Sequence, residues 1–195
     1  MYSKMWIISD THFWYDSPHG AVLIDCGRPK DFHEKTMRHW KRMIGDNDLV
    51  YHLGDVFFGK RGQMKDIITS LPGYKVLIKG NHDRNHTEWY MENGFTAVVD
   101  QLTLVAKMRV GRNNMARTRI ILSHKPVAIP EYDEKDNRRT INIHGHFHNN
   151  PIEQCEPSLT DLLTDDHYLF SLEHTGYKPV LLQNAVHQGL VREGE

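Results

Sequence analysis

Apolar residues along this chain fall into short unbroken runs set between polar, glycine-bearing stretches, the pattern of strands buried on both faces. Lys4 to Ser9 encloses Met5, Trp6, Ile7 and Ile8, and Leu49 to Leu53 and Lys75 to Ile78 repeat the form. Further runs at Arg119 to Leu122 and Ile141 to Ile143 follow, with late strands predicted at Tyr168 to Leu172 and Val180 to Leu182. Between the first strands the apolar spacing lengthens to that of amphipathic helices. Phe32 to Ile44 carries Phe32, Thr36, Trp40 and Met43 near helical spacing, with Asp31 placed as N-cap. Gln63 to Leu71 carries a stripe of Met64, Ile67, Ile68 and Leu71 and stops at Pro72-Gly73. Thr87 to Glu92 predicts a shorter helix ending at Asn93-Gly94.

From Thr96 onward the chain reads as β-rich, with a hairpin expected across Gly111-Arg112-Asn113-Asn114. A helix-rich first half and a β-rich second half predict an α/β fold, a two-sheet α/β sandwich with helices flanking the sheets. Phe13 to Lys30 and Glu131 to Arg139 read as loops overhanging the strand ends. No repeat or composition shift marks a boundary, so residues 1–195 are expected to form a single domain.

Composition changes this picture little: 39% hydrophobic and 25% charged residues are ordinary for a globular domain. The formal charge of −1 supplies no global basic field, so extended nucleic acid is not an expected partner. The local run of Lys107, Arg109, Arg112, Arg117 and Arg119 reads as a solvated hairpin. Cys26 and Cys155 stand far apart and read as idle thiols of a reducing compartment. No segment approaches a membrane span and the opening apolar run is short for a signal peptide, so the expected location is the cytoplasm.

Histidine does change the picture, with fourteen in 195 residues. Five polar motifs occur in order: Asp10-Thr11-His12, Gly54-Asp55, Gly80-Asn81-His82-Asp83, His124, and Gly145-His146-Phe147-His148. Each lies just past the C-terminal end of a predicted strand, where α/β sheets gather their ligands. The donors are carboxylate oxygen, amide oxygen and imidazole nitrogen without thiolate, which suits Mn²⁺, Fe, Zn²⁺ or Ni²⁺. Alone, a D-x-H or a Gly-Asp is weak, since both are common turn or capping chemistry. In this order, each after a strand, the motifs supply ligands for two divalent metal ions, and paired ions of that kind point to phosphoryl hydrolysis.

The order of motifs resembles the calcineurin-like metallophosphoesterase superfamily. The strings Ile8-Ser9-Asp10-Thr11-His12-Phe13, Tyr51-His52-Leu53-Gly54-Asp55 and Ile78-Lys79-Gly80-Asn81-His82-Asp83 resemble its small bacterial and phage phosphoesterases. The resemblance runs from Trp6 to about Asn149, with a less specific likeness at Gly176-Tyr177-Lys178-Pro179-Val180. It implies that Asp10, His12 and His148 hold a first ion, that Asp55 bridges both, and that Asn81, His124 and His146 hold the second. It also implies that His82 is no ligand but the donor of a proton to the leaving oxygen, with Asp83 holding it in place; a role for Asp83 in the backbone turn is the alternative. A shared carboxylate can keep two cations about 3.5–4 Å apart, and coordinated water ionises near pH 7 rather than 15.7.

Two departures refine the expectation. Gly54-Asp55-Val56-Phe57-Phe58-Gly59 lacks the second acid and arginine that many protein phosphatases of this superfamily carry, and Ser123 replaces the glycine common before the fourth-motif histidine. His52 and His144, beside motifs, read as packed or surface histidines, with support of the ligands as the alternative. His19, His33, His39, His86, His167, His174 and His187 carry no identifiable partner. Arg84 and Lys125 are candidates for steadying a phosphate, and Trp14, Tyr15 and Phe57 for a nucleobase platform, each against a simpler surface or packing role.

The expected function is a binuclear metal-dependent phosphoesterase, Mn²⁺ favoured. It would hydrolyse a small phosphorylated substrate or nucleotide, a phosphodiester by preference, through a metal-bridged hydroxide with His82 as general acid. The alternatives are a nuclease or cyclic-nucleotide phosphodiesterase, and a non-catalytic protein-binding scaffold of the same fold.

Overall fold

In a computed structural model that describes residues 2–13, 27–58, 61–109, 114–130 and 138–188, nine strands form two sheets. The first sheet has the order β4-β3-β2-β1-β9, built from β1 (Met5–Ile8), β2 (Leu49–His52), β3 (Tyr74–Ile78), β4 (Ala97–Val99) and β9 (Val180–Leu181). Strands β1 to β4 are parallel, and β9 closes the edge antiparallel to β1. The second sheet has the order β5-β6-β7-β8, from β5 (Gln101–Arg109), β6 (Met115–Ser123), β7 (Thr140–His144) and β8 (His167–Leu169). Here β5 and β6 are antiparallel while β6, β7 and β8 run parallel.

Alternation along the strands divides the core in two, because successive side chains point to opposite faces. Ile7, Leu49, Tyr51 and Ile78 face the second sheet and meet Met108, Ile120, Leu122, Ile141, Ile143 and Tyr168. Trp6, Ile8, Val50 and Leu77 face the other way, into helices α1 (Phe32–Met43), α2 (Arg61–Ser70) and α3 (Thr87–Glu92). Helix α1 lays Phe32, Thr36 and Trp40 on the sheet, with the Trp40 indole N–H donating to Pro72 O at 3.0 Å. Helix α2 buries the predicted stripe Met64, Ile67 and Ile68, and Leu71 follows in the same cluster. Asp31 does occupy the N-cap of α1, but its side chain makes no capping hydrogen bond.

The predicted hairpin is present as a nine-pair antiparallel register from Gln101↔Ser123 to Arg109↔Met115; its turn, residues 110–113, lies outside the described residues. Lys107, Arg109 and Arg117 stand exposed on one face of it. Most of the two expected loops, residues 14–26 and 131–137, likewise lies outside the described residues, and with them Trp14, Tyr15, His19 and Cys26. Cys155 is a free thiol.

One expected element is corrected. The strand predicted at Tyr168 to Leu172 ends at Leu169, and the chain then forms short helices: after α4 (Pro157–Thr160) comes α5 (Leu172–Thr175), and α6 (Ala185–Gln188) follows β9. Ser171 is extended at the N-cap of α5 and Gly176 closes it in the left-handed region at φ 62°. A single turn is too short for apolar periodicity to reveal. No described helix is long and apolar enough to cross a membrane.

Candidate metal centre at the carboxyl ends of the strands

Parallel pairing places the C-terminal ends of β1, β2 and β3 side by side, and those of β6 and β7 opposite them across the sandwich. Asp10 follows β1, Asp55 follows β2, Asn81 follows β3, His124 follows β6, and His146 and His148 follow β7. The loops are tied to each other through their backbones. Asp10 N–H donates to Gly54 O at 3.0 Å, His12 N–H to Asp55 O at 2.9 Å and Gly145 N–H to His124 O at 2.9 Å.

Two buried groups of potential metal ligands result, one of Asp10, His12 and His148 and one of Asp10, Asp55 and His124. In the first, His12 Nε2 lies 3.3 Å from His148 Nε2, 3.9 Å from Asp10 Oδ1 and 3.8 Å from Asp55 Oδ2. In the second, His124 Nε2 lies 3.4 Å from Asp55 Oδ2 and 2.9 Å from Asn81 Oδ1. His146 presents its ring edge to His124 with centroids 5.0 Å apart, and its backbone N–H donates to both Asp10 carboxylate oxygens, at 3.2 and 3.3 Å. Asp10 is common to the two groups, and Asp55, in the second, lies within 4.0 Å of nitrogens of His12, His82 and His124.

The donors on the far side of each ring decide what faces inward. His124 Nδ1–H donates to Leu53 O at 2.7 Å, which leaves the neutral ring a lone pair at Nε2 beside the oxygens of Asn81 and Asp55. His148 Nδ1 lies 3.2 Å from the acceptor-only carboxylate of Glu173, so its Nε2 likewise turns a lone pair toward His12 and Asp10. When the rings are neutral, their inward nitrogen lone pairs face carboxylate and amide oxygens, a repulsion that a cation relieves. The donor set therefore fits divalent metals, hard or borderline in type.

Electrostatics agree. Burial pushes the Asp10 carboxyl up, partly offset by charge on His148 and His124. Burial would also raise Asp55, but the hydrogen bond and charge of His124 hold it well below the usual range. Against its own burial, His124 is drawn up to about 9 by the hydrogen bond to Asp55 and the charge of Asp10. Burial and the neighbouring His148 depress His12, and burial and His124 bring His146 down to about 4. The carboxylates concentrate negative potential that a cation satisfies; His12 and His146 are kept neutral, as ligands must be, while His124 carries a proton that a bound cation would displace.

Backbone strain marks the same residues. Six non-glycine residues among those described have positive φ: Asp10 (53°), His12 (40°), Asp55 (55°), His146 (74°), His148 (52°) and Tyr177 (64°). Five of these belong to the ligand set that the sequence singles out. Gly54, at φ 95°, also permits close approach: a Cβ there would sit 2.5 Å from Gly80 N and 2.8 Å from His124 Nδ1.

His82 borders the centre without joining either group. Its backbone N–H donates to Asp55 Oδ1 at 2.9 Å, its Nε2 is 4.0 Å from Asp55 Oδ2, and its side chain is 37% exposed. Phe58, which no motif singles out, packs against both His82 and His12 with centroids 4.8 and 5.0 Å away. Beside His82 opens a cavity of about 230 Å³ lined by Phe57, Met64, Asp83, Asn85, Trp89 and Tyr90.

Of the two roles expected for Asp83, the structure shows the backbone one and not the bond to His82. Its Oδ2 accepts Asp55 N–H at 2.7 Å and Gly80 N–H at 2.8 Å, and its Oδ1 accepts Val56 N–H at 3.2 Å. The carboxylate clamps the loops after β2 and β3 together rather than bonding the His82 ring. Burial pushes it up to about 6 against the pull of those donors.

His52 and His144 prove to be buried supports. His52 Nδ1 accepts Gly54 N–H at 3.2 Å, so its Nε2–H donates to Thr11 Oγ1 at 2.9 Å, and the threonine hydroxyl donates onward to Val56 O at 2.9 Å. His144 Nδ1–H donates to Gly145 O at 3.0 Å. Burial brings each down to about 3. Lys125 pairs with Glu156 at 3.6 Å, and Arg84 is exposed. His39 Nδ1–H donates to Tyr177 O at 2.8 Å and His86 Nδ1 accepts Trp89 N–H at the start of α3. Both are structural.

Sequence reasoning missed Arg28 and Glu173. The two are joined through Arg28 Nε and Glu173 Oε1 at 2.5 Å, and each side chain is almost wholly buried. They lie 145 positions apart, and no local signal in either segment links them to the motifs.

Residues 4–163 match the sequence model of the calcineurin-like phosphoesterase superfamily domain, and this chain belongs to that superfamily. It is 28% identical to an uncharacterised protein of the archaeon Methanocaldococcus jannaschii, over 92% of this chain and 87% of the relative. The Gene 66 protein of Mycobacterium phage D29 is 29% identical over 77% of this chain and 81% of its own length. In structure the chain is similar to a crystallised protein of unknown function from Aquifex aeolicus, with TM-score 0.63 and 26% identity over 91% and 95% of the two chains. Family and ligand geometry together fit a metal-dependent phosphoesterase.

Proposed function

We propose that this protein is a binuclear metal-dependent phosphoesterase of the cytoplasm that cleaves a small phosphate ester, a phosphodiester by preference, with His82 as general acid. Asp10, His12 and His148 would hold one divalent cation, Asn81, His124 and His146 the other, and Asp55 both; Mn²⁺ is favoured. The observation that carries this reading is the coincidence of strain and lone pairs. Five of the seven proposed ligands occupy positive φ, a cost that persists where the surrounding structure over-determines it and that clusters at functional sites. Bound cations of this kind supply an acidified water as nucleophile and neutralise phosphoryl oxygens.

The chain's own groups supply the rest. Asp55 fixes the His82 backbone through its Oδ1, while Phe58 and His12 flank the imidazole, so Nε2 faces the centre. A proton delivered from that nitrogen to the departing oxygen is what a poor leaving group requires, and such catalysis contributes about 10²–10⁴-fold. The cavity beyond His82 offers the departing group a place. Its walls, Phe57, Trp89 and Tyr90, favour an aromatic or nucleoside moiety and support a nucleotide or cyclic nucleotide as the second reading.

The test is hydrolysis of an aryl phosphodiester with added Mn²⁺. Asp55→Ala and Asn81→Ala are expected to abolish metal-dependent turnover. His82→Ala is expected to keep metal binding and lose about 10²–10⁴-fold in kcat on a substrate with a poor leaving group. Full rate for His82→Ala on that substrate would remove the acid role. A steep loss of affinity with salt would indicate a polymeric nucleic acid instead.

A further inference from the structure

Behind the first group of ligands lies a buried ion pair that none of the five motifs contains. Arg28 Nη2 donates to Asp10 O at 2.8 Å and Nη1 to Thr11 O at 3.4 Å, so one guanidinium holds the two carbonyls between the ligands Asp10 and His12. Its Nε meets Glu173 Oε1 at 2.5 Å, and the same carboxylate oxygen lies 3.2 Å from His148 Nδ1. Arg28 Nη2, which gives one of its two hydrogens to Asp10 O, also lies 3.2 Å from that nitrogen, so guanidinium and carboxylate together hold this edge of the ring. The carboxylate can only accept, and its charge favours the ring form with a hydrogen on Nδ1, whose Nε2 then faces inward with a lone pair. Asp10, His12 and His148 all hold positive φ. No comparable pair stands behind the second group among the described residues: His124 Nδ1–H is held by the Leu53 carbonyl.

We infer that Arg28 and Glu173 are positioning residues for the first cation alone, one fork of hydrogen bonds fixing the Asp10–His12 loop and one carboxylate fixing His148. The inference rests on the two-cation reading above. The pair reaches the site from two segments outside the motifs, the residues just before α1 and the one-turn helix α5. It acts through the ligands and touches no substrate. Disturbing it changes how tightly the first ion is held, and leaves the second ion with an unaltered set of ligands.

Titration calorimetry with Mn²⁺ reads this directly. Removing one partner would strand a buried charge, so the main variant replaces both, Arg28→Met with Glu173→Leu, an exchange of a buried pair for apolar groups that is commonly neutral for folding. A thermal melt checks that it folds. Introduced into Asn81→Ala protein, where only the first site is left, the exchange is expected to weaken the remaining binding event about 10–100-fold. In His12→Ala protein, where only the second site is left, the remaining event is expected to be unchanged. Glu173→Gln, which keeps an oxygen for His148 Nδ1–H, is expected to fall between wild type and Glu173→Ala. In the otherwise wild-type protein at limiting Mn²⁺, the exchange should also convert a spin-coupled EPR signal into an uncoupled one. Equal weakening in both backgrounds, or none in the Asn81→Ala background, overturns the inference while leaving the two-cation reading in place. A wild-type protein that takes up no Mn²⁺ overturns both.

Discussion

Positive φ at Asp10, His12, Asp55, His146 and His148 costs of order 1–3 kcal/mol at each position, and the surrounding hydrogen bonds over-determine each one. Asp10 shows how: Ser9 Oγ donates to its Oδ2 at 2.6 Å, His146 N–H to both oxygens, and Arg28 to its carbonyl. Gly145 is required beside it, because a Cβ there would collide with the Ser9 hydroxyl and the Asp10 carboxylate. Gly145→Ala is therefore expected to lose Mn²⁺ binding at both sites in calorimetry while the far-UV spectrum stays native. Histidine 52 carries a pH signature. Its folded value near 3 lies below the ordinary 6.5, so the unfolded chain takes up the proton first as pH falls. Its contribution to stability is complete above about pH 6.5 and is lost on acidification at about 1.4 kcal/mol per unit. In chelator-treated protein, urea unfolding between pH 6 and 4 should be less pH-dependent by about one proton in His52→Gln than in wild type. Identical slopes would show that His52 does not fold neutral. These details were not legible in the residues: the motifs single out the candidate ligands, while the outer partners of His124 and His148 depend on chain segments far away in sequence.

Elements were more legible than contacts. The runs around Ile7, Val50 and Leu77 are strands because they are apolar on both faces, and the structure uses both, one against helices and one against the second sheet. The 3.6-residue stripe of α1 is equally plain, since it buries one face only. Trp40→Ala should therefore destabilise the protein by about 3–5 kcal/mol in denaturant titration, with Mn²⁺ stoichiometry retained in what remains folded. Where one short apolar run covers two elements, the pattern fails. Phe170 is buried after β8 has ended, and Leu172 opens α5 with its side chain in the helix-side core, so apolar character alone read as one longer strand. That missed turn is the one that carries Glu173. The basic hairpin illustrates the reverse case. Its charges at Lys107, Arg109 and Arg117 are exposed on one face while Met108 is buried on the other, the alternation of a sheet wet on one side.

At the scale of the molecule, parallel pairing is what converts five scattered motifs into one centre. Each motif was placed correctly at a strand end, but only the order β3-β2-β1 in one sheet and β6-β7 in the other makes those ends neighbours, and that order is a property of the whole fold. Because the loops are cross-tied through backbone hydrogen bonds and the clamp of Asp83, cations and fold should stabilise each other. Mn²⁺ at one hundred times its Kd should add about 2.7 kcal/mol per site to unfolding, and chelation should remove both that increment and hydrolysis. The central claim is that Asp55 joins two metal sites in one pocket. Anomalous diffraction from crystals grown with Mn²⁺ tests it most directly. Two peaks are expected, one against Asp10, His12 and His148, the other against Asn81, His124 and His146, with Asp55 touching both. A single peak, or two that share no carboxylate, would contradict it.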